Sequence, residues 1–178
     1  MLGVVALLDE ETSTFVRGLW TALTREFGFS GTHADSSPHV SFHAAEEYEL
    51  EQVEQRLRSL GHSIPPLETH TNGLGMFFGD THVLYLPVVR PPRLTVLQRA
   101  VFEEVRGHAK GDHGLYRPDT WVPHITLGQW EAGKDVVPDA IRFLSGEKLT
   151  FSFSIDNLSL AEETGEQRRV ISTHRLEP

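Results

Sequence analysis

Apolar residues recur three and four positions apart in four stretches of this chain, and alternate with polar ones in several others. From Thr12 to Phe27, Val16, Leu19, Leu23 and Phe27 form one helical stripe, with Gly28 as the stop. From Glu46 to Leu60, Leu50, Val53, Leu57 and Leu60 form another, ending at Gly61. Leu94, Leu97, Val101 and Val105 do the same between Arg93 and His108. A shorter helix is expected from Pro138 to Leu144, with Ile141 and Leu144 inward and the proline tolerated in the first turn. Between these lie LGVVALL, HVSFH, GMFF, HVLYLPVV, HITLG, FSFSIDNLSLA and RRVISTH. Their β-branched and aromatic content, bounded by Gly, Pro, Asn or Asp, predicts strands. The last two, separated by EETGEQ, predict a terminal hairpin.

The order of elements repeats. LGVVALL, a helix, a loop and HVSFH match HVLYLPVV, a helix, a loop and HITLG, and each histidine strand is followed by another helix and strand. Both loops before the histidine strands end in proline, which biases the preceding residue toward extended backbone. Two similar α/β lobes facing each other are expected, with no flexible linker between them and residues 1–178 forming one bilobal domain.

Candidate chemistry sits on the repeated strands. Side chains on a strand alternate faces, so His39 and Ser41 point one way while Val40 and Phe42 point the other. His124 and Thr126 likewise share a face, with Ile125 and Leu127 anchoring it from behind. Two such strands across a groove would present two imidazoles and two hydroxyls. Imidazole titrates at about 6.5, so near neutrality one ring can accept a proton while its partner gives one. Each transfer is typically worth about 10²–10⁴-fold in rate. Hydroxyls donating to nonbridging phosphate oxygens would favour the transition state of phosphodiester cleavage.

Composition narrows the substrate more than the fold. A formal net charge of −9 argues against a broad grip on nucleic acid, which relies on many Lys and Arg contacts to phosphate, and suits a nucleotide or RNA end better. There is no cysteine, which removes disulfides, thiol nucleophiles and Cys-based zinc sites. No apolar run reaches the roughly 20 residues that span a bilayer, and MLGVVALLDEET reads as a strand rather than a signal peptide. A cytoplasmic monomer away from membranes is expected.

Two His-x-Ser/Thr-x elements in matching positions of a repeated pattern resemble the 2H phosphoesterase superfamily, and within it the bacterial 2'-5' RNA ligase-like proteins. YRPDTWVPHITLGQW resembles the second motif of that family, and LGMFFGDTHVLYLPV the strand pair before it. The similarity runs from Leu2 to Leu176. It implies an α+β, bilobal fold with pseudo-two-fold symmetry, its antiparallel sheets lining a central groove and its helices outside. It also implies cofactor-free and metal-independent action on 2',3'-cyclic phosphates, 2'-5' linkages or related nucleotide phosphodiesters, with ligation as the reverse reaction. His39 and His124 would be the acid–base pair, and Ser41 and Thr126 the phosphate clamp. Ser41 stands where many members carry threonine, with the hydroxyl kept.

Other residues are read two ways. His43, on the face expected for His39, would line the groove, cap the strand end or join a metal site, although HEXXH and metal-like carboxylate spacings are absent. Tyr116 and Trp121 could stack on a base and Arg117 pair with a terminal phosphate, or this loop could simply pack with Trp121 as a plug. One of Phe77 and Phe78 must face inward. His33, His62, His70, His82, His108, His113 and His174 are expected at the surface. Two rivals to the enzyme remain: a nucleotide or RNA-end binding module with little turnover, and a histidine-based metalloprotein.

Overall fold

The computed structural model describes residues 1–31, 36–131, 136–164 and 167–177. The first strand, β1 (Leu2–Leu7), leads into helix α1 (Glu10–Phe27). Asp9 caps that helix, its carboxylate accepting from the Thr12 backbone N–H at 2.8 Å. Gly28 ends it in the left-handed region at φ 67°, a conformation open to glycine at no steric cost. Strand β2 (His39–Ala45) follows, then the two-residue β3 (Glu47–Tyr48), helix α2 (Leu50–Gly61) and β4 (Leu67–His70).

The second half runs β5 (Gly75–Phe77), β6 (Thr81–Pro87), α3 (Pro92–Val105), β7 (Ala109–Lys110) and β8 (His124–Glu131). It continues with α4 (Val137–Leu144), β9 (Ser152–Ile155), β10 (Asn157–Thr164) and β11 (Gln167–Arg175). One sheet has the order β11-β10-β1-β2 and another β5-β6-β8, and two short ladders join β3 to β7 and β4 to β9. All these pairings are antiparallel, so the chain is an α+β protein.

The two halves share a strand–helix–strand unit. β1 and β2 pair around α1, and β6 and β8 pair around α3. The helices are exchanged, however: α1 packs on β8 of the other sheet, while α3 packs on β2 and on α2. Val40, Phe42, Ile125 and Leu127 are fully buried, each contributing roughly 1.5–3 kcal/mol by leaving water. That burial fixes which face of β2 and β8 is left for chemistry.

Several expected details are corrected. Helix α2 starts only at Leu50, because Glu47 and Tyr48 pair with Lys110 and Ala109; Leu50 is therefore exposed and Tyr48 buried in its stead. The end of that helix is as expected: Gly61 is the last residue of α2, and a Cβ there would lie 2.5 Å from the Arg175 carbonyl oxygen. In α4, Ala140 and Leu144, four apart, take the inner face and leave Ile141 exposed. FSFSIDNLSLA divides at Asp156 into β9 and β10, which pair with different partners, and β10 forms the terminal hairpin with β11.

Candidate functional site

His39 and His124 open β2 and β8, and the first four residues of both strands alternate half-buried and buried. Each strand then carries a bulge at the same place. Val5 pairs with Ser41 and Val4 with His43, so Phe42 has no partner; Tyr85 pairs with Thr126 and Leu84 with Gly128, so Leu127 has none. A bulge bends its strand and re-aims side chains, a common device beside functional sites.

His39, Ser41, His124 and Thr126 line one cavity of about 260 Å³. Ser36, Trp20, Phe77, Tyr116, Gln129 and Glu163 also border it. Among the described residues on its wall there is no lysine or arginine. Neither the Ser41 nor the Thr126 hydroxyl makes a hydrogen bond to protein among the described residues, so both can serve a ligand.

The two imidazoles are held in the same way. The Nδ1–H of His39 donates to the Ser37 carbonyl at 2.8 Å, and that of His124 to the Val122 carbonyl at 2.7 Å. A carbonyl can only accept, so in both rings Nδ1 carries hydrogen and Nε2 is the atom left to exchange a proton. His124 is further boxed by aromatic rings, with Phe77 edge-on at 5.0 Å between centroids and Tyr85 at 5.1 Å. Burial holds its pKa below the usual 6.5, partly offset by the bond to Val122. Tyr85 and Phe77 stack on each other at 4.2 Å. The Tyr85 ring crosses Gly75 so closely that a Cβ there would sit 2.3 Å from it.

Of the remaining candidates only Tyr116 borders this cavity. His43 does not share the face of His39 and Ser41, because the extra residue at Phe42 resets the alternation and turns His43 into the interior. Its Nδ1 meets the Tyr48 hydroxyl at 2.6 Å and its Nε2 lies 3.5 Å from Asp112 Oδ1. Burial lowers its pKa, opposed by the Asp112 carboxylate; burial likewise raises that of Tyr48. Among the described residues no three His, Cys, Asp or Glu side chains converge as a metal site would require.

Tyr116 ends a single 3-10 turn (Gly114–Tyr116) that places it and the exposed Leu115 on the cavity rim. Arg117 faces away, into a separate cleft of about 710 Å³ bordered by Arg106, Asp112 and Asp119. Trp121 does not reach the cavity either. It is buried, stacked on Phe42 at 5.4 Å with the Arg90 guanidinium 5.4 Å from its ring centroid. Phe77 is the inward member of its pair, and Phe78 is 76% exposed. His33 lies outside the described residues.

Sequence reasoning did not single out Trp20. It stands four residues after Val16 and three before Leu23, which marks it as inward-facing, but nothing local marks the cavity it borders. Gln129 and Glu163 carry no pattern at all that would have found them.

Comparison with known proteins identifies the family and the fold. A family model described as the 2'-5' RNA ligase superfamily matches residues 9–167. A "Putative phosphoesterase" of Bacillus cytotoxicus is 32% identical over 95 residues, which are 52% of this chain and 51% of that protein. The chain thus spans about half the length of the curated relatives it matches. Among solved structures, TT0787 of Thermus thermophilus superposes with a TM-score of 0.65 at 16% identity, covering 98% of this chain and 97% of that one. LigT of E. coli superposes with a TM-score of 0.64 at 18% identity, covering 99% and 97%. LigT has also been solved with phosphate, with 3'-AMP and with ATP.

Proposed function

This chain belongs to the 2'-5' RNA ligase superfamily of 2H phosphoesterases, and we propose that it is a metal-independent phosphodiesterase acting on cyclic phosphate or 2'-5' phosphodiester bonds of nucleotides or RNA ends. One observation supports this reading above the others: two identically tethered imidazoles and two uncommitted hydroxyls border a single cavity. Residues 1–178 would act as one bilobal unit, since each half supplies one imidazole and one hydroxyl.

In the hydrolytic direction, Nε2 of one histidine takes a proton from water as the water oxygen bonds to phosphorus. Nε2–H of the other delivers a proton to the departing ribose oxygen, so that the P–O bond breaks and a phosphomonoester remains. His124 suits the base, because its lowered pKa keeps it neutral near pH 7. The roles exchange in the ligation direction. Ser41 and Thr126 donate to the nonbridging oxygens as charge builds on them.

Tyr116 and Leu115 on the rim offer a face for a base or ribose. The nucleotide complexes of LigT agree with a nucleotide-sized ligand.

The experiment is a screen of 2',3'-cyclic nucleotides, 2'-5' dinucleotides and RNA ends. Turnover in chelator, abolished in the double variant His39→Ala/His124→Ala, is expected. A protein that binds these compounds without product release would instead be the nucleotide-binding module.

A further inference from the structure

Each bulge is held by an indole from the opposite half. Trp20, on α1 of the first half, donates its Nε1–H to the Thr126 carbonyl at 2.8 Å. Trp121, in the loop before β8 of the second half, donates its Nε1–H to the Ser41 carbonyl at 2.8 Å. Both indoles are 3% exposed. The two acceptor carbonyls are equivalent under the internal repeat, although one donor lies on a helix and the other in a loop, and each carbonyl belongs to the residue whose hydroxyl borders the cavity. Each also lies next to the unpaired bulge residue, where the ladder between strands is interrupted and the backbone is least constrained by pairing.

We propose that Trp20 and Trp121 are positioning residues, cross-strapping the two halves so that the Ser41 and Thr126 hydroxyls keep a fixed separation across the groove. The inference rests on the phosphodiesterase reading above. A hydrogen bond to the carbonyl of a residue fixes the plane of the following peptide and with it the direction of that residue's side chain. Because α1 packs on β8 while Trp121 packs under Phe42 of β2, neither half can shift without breaking a strap. Arg90 locks the second strap in turn, donating to the carbonyls of Trp121 and Pro118 at 3.2 and 2.6 Å. The third tryptophan, Trp130, is equally buried but its Nε1 has no hydrogen-bond partner among the described residues, which makes it an internal control.

Two readouts separate positioning from general packing. The first is a double-mutant cycle on hydrolysis of a 2',3'-cyclic nucleotide. Trp121→Phe is expected to lower kcat about 10-fold with KM within twofold, since small misplacement of a catalytic donor costs up to about 100-fold. That loss should vanish in a Ser41→Ala background and persist in Thr126→Ala, with Trp20→Phe showing the reverse dependence. Equal losses in matched and mismatched backgrounds would overturn the proposal. The second readout needs no turnover. Titrating inorganic phosphate into the ¹⁵N-labelled protein should move the indole N–H resonances of Trp20 and Trp121 and leave Trp130 in place. Movement of all three together, or of none while phosphate binds, overturns it as well. Absence of turnover in the unmodified protein would sink the phosphodiesterase reading while leaving the indole titration decisive for the straps.

Discussion

Thr126→Val removes one hydroxyl and little else. Valine keeps the β-branched shape and strand preference, and the backbone carbonyl that accepts from Trp20 is untouched. Thr126 is half-buried on the cavity side of β8, while Ile125 and Leu127, fully buried, hold the strand from behind. Its hydroxyl has no protein partner among the described residues, so deleting it leaves no buried polar group unsatisfied. Folding stability should change by about 0.5 kcal/mol or less, under about 2 °C in Tm for a chain of this size. The transition state has more to lose. Removing one donor aimed at developing oxyanion charge costs about 10²–10³ in kcat, or roughly 3–4 kcal/mol. Steady-state kinetics on a 2',3'-cyclic nucleotide, run beside a thermal melt, read both quantities. A kcat within threefold of the unmodified protein would refute the clamp assignment. A large fall in Tm with the loss of rate would refute the claim that the hydroxyl is free of structural duty.

Three further outcomes follow from named contacts. Gly75→Ala puts a Cβ 2.3 Å from the Tyr85 ring, which must shift and disturb the rings beside His124; kcat should fall about 10-fold, while Gly79→Ala, whose nearest atom is 3.5 Å away, should be silent in the same assay. His43, His124 and His174 all have pKa values lowered by burial, so the unfolded chain takes up these protons first as pH falls below about 6.5. Stability is therefore full above that pH and lost progressively below it, and a thermal midpoint that stays flat between pH 7.5 and 5.5 would contradict this. Phe42→Ala removes a fully buried ring on which Trp121 stacks, and urea unfolding should show a loss of about 3–5 kcal/mol.

What the sequence revealed about this site follows a single physical rule. Period-two alternation, anchored by Val40, Phe42, Ile125 and Leu127, put His39 with Ser41 and His124 with Thr126 on a common face, and the cavity is bordered by all four. The rule failed one residue later. A bulge has no composition signature at Phe42 or Leu127, so the turn of His43 into the interior was not legible. Long-range contacts were equally hidden: the exchange of α1 and α3 between sheets, the ladders of β3 with β7 and β4 with β9, and the indole bonds to Ser41 and Thr126. Trp121 read equally well as a stacking platform or a plug, because burial is decided by Phe42 and Arg90, distant in the chain. Internal pattern finds the face; partners across the fold decide what stands behind it.

The account turns on where a single phosphate binds. A crystal structure of the protein with inorganic phosphate should show the anion between His39 and His124, each Nε2 and each of the Ser41 and Thr126 hydroxyls about 3 Å from one of its oxygens. Phosphate seated instead between Arg106 and Arg117 in the larger cleft, with the two imidazoles sharing no ligand, would contradict it.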